Sequence, residues 1–179
     1  MCGAAFTSVA PYHIISYGTL LGTTFFHSFL NGPVMFRTVT RPTFSAVQSG
    51  LFPIYFGMQT VLPIVLALTF PGSSTTHTGI SGILDDSHRL GSLVPVATMF
   101  ATGLLNLAIL LPATMKVMKE RRGQAKRDGK EWYESGPQSD EMRALSKKFG
   151  ILHGISSLLN LGTFIAALTY GFTLASRIQ

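Results

Sequence analysis

The sequence predicts an all-α membrane protein: a four-transmembrane-helix bundle with one basic cytosolic loop, forming a single transmembrane domain over residues 1–179. Two observations carry that expectation. Only 12% of the residues are Asp, Glu, Lys or Arg, about half the ~25% usual in soluble chains. The charges also divide the chain into four uncharged blocks, 1–36, 42–84, 90–115 and 149–176. Each is longer than the roughly 20 residues a helix needs to cross a ~30 Å hydrocarbon core. Strand-like alternation is absent.

Span one is placed at His13–Phe36, after Pro11, which suits a first helical turn. Its block has no Lys or Arg, unlike the start of a secretory signal, so the span is expected to be retained. Arg37 and Arg41 mark its exit. Span two covers Phe44–Phe70 and contains Pro53 and Pro63, each of which removes a backbone hydrogen bond and should bend the helix. A turn-rich loop begins at Pro71, and the polar stretch to Arg89 belongs outside the bilayer. Span three follows at Leu90–Met115. The hydrophilic loop 116–148 then holds ten of the fourteen basic and six of the eight acidic residues. Gly129 and Gly136-Pro137 should interrupt helix there, and Ser139 before Asp140 and Glu141 reads as the N-cap of a short helix feeding span four. Span four covers Phe149–Ser176 and is closed by Arg177.

Orientation follows from the basic residues. Loop one has Arg37 and Arg41 and loop three has ten, against Arg89 in loop two and Arg177 at the C-terminus. The positive-inside rule therefore places loops 37–43 and 116–148 in the cytosol and both termini in the lumen or exterior.

Polar side chains inside a span need partners, so their spacing shows which face points inward. Thr24, His27 and Asn31 share a stripe in span one, and Gln48, Tyr55 and Gln59 in span two. Thr98, Thr102 and Asn106 do so in span three, and His153, Ser157 and Asn160 in span four. Together they fit one polar inner seam, read first as register-fixing hydrogen bonds. A proton, metal or haem site between His27 and His153 is the less favoured reading, because no span carries a carboxylate. The small-residue patterns Gly18-x-x-x-Gly22, Ser28-x-x-x-Gly32 and Ala167-x-x-x-Gly171 favour close helix packing.

Soluble chemistry is thin. Cys2 is the only cysteine, which excludes an intrachain disulfide and a cysteine zinc cluster. The Gly123–Lys130 segment departs from a phosphate loop in its spacing, and Glu131 stands where Ser or Thr would bind magnesium. The cluster Lys116, Lys119, Arg121, Arg122, Lys126, Arg127 and Lys130 reads either as a solvated topology anchor or as a contact for anionic lipid headgroups. Trp132-Tyr133 suits the membrane interface.

Two segments resemble the signature of the transmembrane protein 205 family. The first contains Phe36, Arg37, Arg41, Phe44, Gln48, Leu51, Phe52, Pro53, Tyr55 and Phe56. The second contains His153, Gly154, Ser156, Ser157 and Asn160. The resemblance implies a fungal or other lower-eukaryote member of a family of small four-span endomembrane or plasma-membrane proteins without established enzymatic activity. Its animal members are linked to vesicle traffic and tolerance of platinum drugs.

The expected function is non-enzymatic: a trafficking-related protein or accessory subunit, with a small transporter or channel using the polar seam as the alternative. No catalytic residue, cofactor or metal is assigned. The expected partners are the bilayer, its anionic headgroups and another membrane protein, and not nucleic acid. Arg37, Arg41, Gln48, Tyr55, His153, Ser157 and Asn160 are expected to meet as a polar clasp or lipid contact at the cytosolic end, with span four packed against the turn between spans one and two.

Overall fold

The computed structural model describes residues 8–72 and 77–176; Cys2, part of the loop after Pro71, and Arg177 lie outside them. The described residues are helical, with no strand among them. The helices are α1 (Ala10–Phe25), α2 (Gly32–Thr38), α3 (Arg41–Leu68), α4 (Gly79–Ile83), α5 (Val94–Leu105), α6 (Leu111–Asp128) and α7 (Asp140–Ala175).

Three π-helical turns, Phe26–Asn31, Arg89–Leu93 and Asn106–Leu110, join successive segments. Each is followed by a proline in the first turn of the next helix, at Pro33, Pro95 and Pro112. Proline lacks the N–H and presses on the carbonyl four residues back, and a widened turn relieves both problems without ending the helix. By contrast, α3 runs unbroken through Pro53 and Pro63. Pro63 leaves the Gln59 carbonyl without its helical donor. At that point α5 crosses so closely that a Cβ on Gly103 would stand 2.6 Å from the Gln59 oxygen.

Three helices among the described residues are long and apolar enough to cross a membrane: Arg41–Leu68, Arg89–Asp128 and Asp140–Ala175. Many large apolar side chains, including Ile54, Val61, Leu158, Ile165 and Phe172, point outward from the bundle. That is the pattern of helices solvated by lipid. The chain is a multi-pass integral membrane protein. The expected count of four spans is not reached by this measure. The first helical run continues through the π turn at Phe26–Asn31 but is less apolar than the other three. It also carries His13, Ser16, Thr19, Thr23, Thr24, His27 and Ser28 among its apolar residues.

The hydrophilic segment 116–148 is mostly helix. The Arg89–Asp128 membrane helix continues into it and stops where Gly129 adopts a left-handed φ of 61°. Ser139 caps the next helix by accepting from the Met142 N–H at 3.1 Å. That helix runs without a break to Ala175, so the expected short separate helix is simply its first turns. Beyond the charged rim, Val117, Ala125 and Met142 are buried.

Packing is densest at the end of the bundle that bears the N-terminus. Leu20, Leu66, Phe70, Ile83, Met99, Ala167 and Tyr170 belong to one buried cluster there. The short α4 is held to this end by the Gly79 N–H, which donates to the Phe70 carbonyl at 2.8 Å. Of the three small-residue patterns, only Ala167-x-x-x-Gly171 lies in a tight interface. The Tyr17 hydroxyl donates to the Ala167 carbonyl at 3.2 Å and occupies the space a Gly171 side chain would need. A Cβ at Gly18 or Gly22 would touch nothing, so that pattern does not serve packing within the bundle.

Candidate functional site: a cavity at the loop end

At the packed end, His13 is paired on both ring nitrogens. The Thr69 hydroxyl gives its proton to the Val65 carbonyl at 2.6 Å, so toward His13 it can only accept. His13 Nδ1, 3.1 Å away, must therefore carry the ring proton. Nε2 then accepts from the Tyr170 hydroxyl at 2.6 Å. His13 is fully buried and ties α1, α3 and α7 together. This clasp was not expected from the sequence.

The anticipated polar stripes are present, but their hydrogen bonds form two strings. Between α1 and α3, Gln59 Nε2 donates to Thr24 Oγ1 (3.4 Å) and to the Tyr55 hydroxyl (2.8 Å), which also bonds Ser28 (3.1 Å). Asn31 Nδ2 donates to Gln48 Oε1 at 3.4 Å and reaches His27 Nδ1 at 3.2 Å. On the other side, Thr102 bonds Thr163 at 2.7 Å, and Asn106 Nδ2 donates to Asn160 Oδ1 at 3.1 Å.

Where the helices reach the loops between 38 and 41 and between 128 and 140, a cavity of about 950 Å³ opens in the bundle. Gln48, His153, Ser157 and Asn160 line it, and so do His27 and Ser28. Its apolar walls come from Phe29, Phe36, Phe44, Phe52, Leu158 and Leu161. The π turn carries His27 and Phe29 into this wall. The remaining expected clasp residues lie elsewhere. Tyr55 is buried in the α1/α3 string. Arg41 sits 3.4 Å over the Phe36 ring and donates to the Phe36 carbonyl at 2.6 Å, which staples the turn between α2 and α3. Arg37 is exposed and does not line the cavity.

Arg121 was expected among the surface charges but is only 7% exposed and forms part of the wall. Its guanidinium lies 4.3 Å from the Trp132 ring and 4.9 Å from the Phe149 ring. Trp132 is positioned by a loop with its own fastenings. Lys130 Nζ donates to the Pro137 carbonyl (2.9 Å), Gln138 Nε2 to the Glu131 carbonyl (3.1 Å) and Ser139 to Asp128 (2.6 Å). Two buried nitrogens of the wall residues, Arg121 Nε and His27 Nε2, have no hydrogen-bond partner among the described residues. Since Asn31 occupies His27 Nδ1 as a donor, the orphaned Nε2 bears the proton. The His153 ring stacks on Phe149 at 5.9 Å between centroids.

None of the lining residues is Asp, Glu, Cys or Lys. The arrangement can bind: an apolar chamber with hydrogen-bond donors in its wall.

Comparison with known proteins matches residues 15–123 to a family described as a domain of unknown function, DUF4149. That segment covers the first three walls of the cavity, including Arg121, and stops before Trp132 and α7. The chain is 31% identical over 172 residues to Xanthocillin biosynthesis cluster protein D of Aspergillus fumigatus, covering 96% of this chain and 92% of the relative. No solved structure matches.

Proposed function

Because this chain belongs to the DUF4149 family, we propose that it is a non-enzymatic membrane accessory protein that holds an amphiphilic molecule in the cavity at its loop end. The cavity itself carries this reading. It offers about 950 Å³ of mainly apolar space and is open along α7, where Leu158 is 69% exposed, so an amphiphile can enter it from the bilayer. Chambers of roughly 300–1,000 Å³ with a few placed polar groups are typical of small-molecule sites. The name of the Aspergillus relative attaches that protein to a biosynthesis cluster, which supports an accessory role beside small-molecule metabolism. The two hydrogen-bonded strings do not join into one track, which favours holding over conduction.

In this proposal the run from Ala10 to Thr38 is the fourth span, and the chain shares the four-span arrangement of the transmembrane protein 205 family that its segments around Phe36–Phe56 and His153–Asn160 resemble. Arg37, Arg41 and the basic residues of 116–148 face the cytosol, so the cavity opens there. A tag at Gly123 should be protected in sealed vesicles with the cytosolic face inside, while a C-terminal tag stays accessible. The same protection for both would remove the four-span arrangement.

The holding role is tested by native mass spectrometry from mild detergent. Gly154 lines the cavity and a Cβ there would meet open space, so Gly154→Phe should fill the chamber without a clash. Wild type should retain one amphiphile per chain and the variant none. An identical complement on both proteins would end the proposal.

A further inference from the structure

We propose that the molecule held in the cavity bears an anionic headgroup and that Arg121 is its anchor; this rests on the reading of the cavity as a holding site. Arg121 is 7% exposed, yet its side chain makes no hydrogen bond and no ion pair among the described residues. The ion pairs found there, Asp86–Arg89 and Asp140–Arg143, are exposed and do not involve Arg121. Asp128, about two helical turns beyond Arg121, is engaged by Gln124 at 2.7 Å and by Ser139 at 2.6 Å. A buried cation without a counter-ion is strongly disfavoured unless a ligand supplies the charge.

The surroundings fit an anion and exclude the alternatives. Trp132 and Phe149 both lie against the guanidinium; its Nε is closed off, which leaves the terminal amino groups to meet the oxygens of a carboxylate or phosphate. The second orphaned group, His27 Nε2–H, is also a donor, although it is closed off from the cavity as the helices stand. With both unmet needs being for an acceptor and no acidic residue in the lining, the chamber selects against cations. Arg122, exposed at the same wall, adds a second positive charge. The α7 lining runs from Phe149 beside Arg121 to Leu161, about 18 Å along the axis at ~1.5 Å per residue. Head and tail are therefore assigned to different parts of one elongated chamber. The head meets Arg121 at the loops, and the tail lies among Phe29, Phe52, Leu158 and Leu161. Leu158 is 69% exposed, which leaves this side open to the acyl region of the bilayer.

The chemistry is shared by a free single-chain acid and by an anionic bilayer lipid, and bromine quenching separates them. Trp132 is the only tryptophan of the chain, so its fluorescence reports occupancy directly. The purified full-length protein is titrated with dibromostearate, with its uncharged methyl ester, and with dibrominated phosphatidic acid in mixed micelles. At least one anion should quench Trp132 with an affinity roughly tenfold or more above that of the ester. The stronger of the two identifies the source. Arg121→Gln should abolish that preference while leaving the weak binding of the ester, and Arg121→Lys should restore it in part. Equal quenching by acid and ester, or an unchanged preference in Arg121→Gln, would overturn the anionic assignment and leave the holding role intact. No quenching by any probe, in wild type and Gly154→Phe alike, would overturn both.

Discussion

The two ends of the bundle bury similar chemistry and treat it in opposite ways. At the packed end, His13 has Thr69 on one nitrogen and Tyr170 on the other, inside a core that includes Leu20, Phe70 and Met99. At the loop end, His27 has one nitrogen served and one orphaned, and Arg121 is buried with no counter-charge. The buried histidine is fully satisfied in the first region, whereas in the second a histidine and a cation are both left short beside a cavity. A buried polar group that meets its partners within the chain fixes structure, whereas one held short of partners beside a cavity implies a partner from outside.

Substitutions that probe the contrast should range from large losses to almost nothing. The largest effect is expected where α5 crosses α3. Gly103→Val would force side-chain atoms onto the Gln59 carbonyl, 2.6 Å from the added Cβ. A loss of about 3 kcal/mol or more is expected from overpacking, read as a lower melting temperature in detergent or as failure to fold. Next comes the packed-end clasp. Tyr170→Phe removes the donor to His13 Nε2 and should cost about 1–3 kcal/mol by leaving a buried acceptor unpaired. Arg121→Met should have the opposite sign. Exchanging an unpaired buried cation for an apolar side chain of similar length should leave the ligand-free protein unchanged or about 1–2 kcal/mol more stable. A loss as large as that of Tyr170→Phe would place Arg121 among the structural groups and erase the contrast. The smallest effect belongs to Arg37→Ala, which should match Arg122→Ala to within about 0.5 kcal/mol, as is usual for exposed sites. If Arg37→Ala were clearly the more damaging, Arg37 would be part of the polar clasp after all.

These regions also differed in how far the sequence exposed them. Helical spacing grouped Gln48, His153, Ser157 and Asn160 as polar stripes, and all four line the cavity, His153 and Ser157 being exposed within it. Periodicity cannot say which stripes bond to each other, so the division into an α1/α3 string and an α5/α7 string was not visible. The His13–Tyr170 bond joins residues 157 positions apart, and His13 had been assigned to the rim of span one. Arg121 was hidden by its neighbours. In a run with Lys119, Arg122 and Lys126 it reads as a solvated charge, although Val117, Arg121, Gln124 and Ala125 are the buried face of α6. Their four- and three-residue spacing was the available signal. Its meaning depended on Trp132 and Phe149, which tertiary folding brings to the guanidinium. The proline-linked π turns likewise change where the first helix carries its side chains, a shift that ideal helical spacing does not anticipate.

The most direct test of the account is a crystal structure of the wild-type chain grown from a lipidic mesophase containing phosphatidic acid and a single-chain fatty acid. The account predicts continuous density for one amphiphile, its head within hydrogen-bonding distance of the Arg121 guanidinium and its tail along α7 toward Leu161. A closed bundle with α2 packed on α7, no chamber, and Arg121 paired with an acidic side chain of its own loop would contradict it.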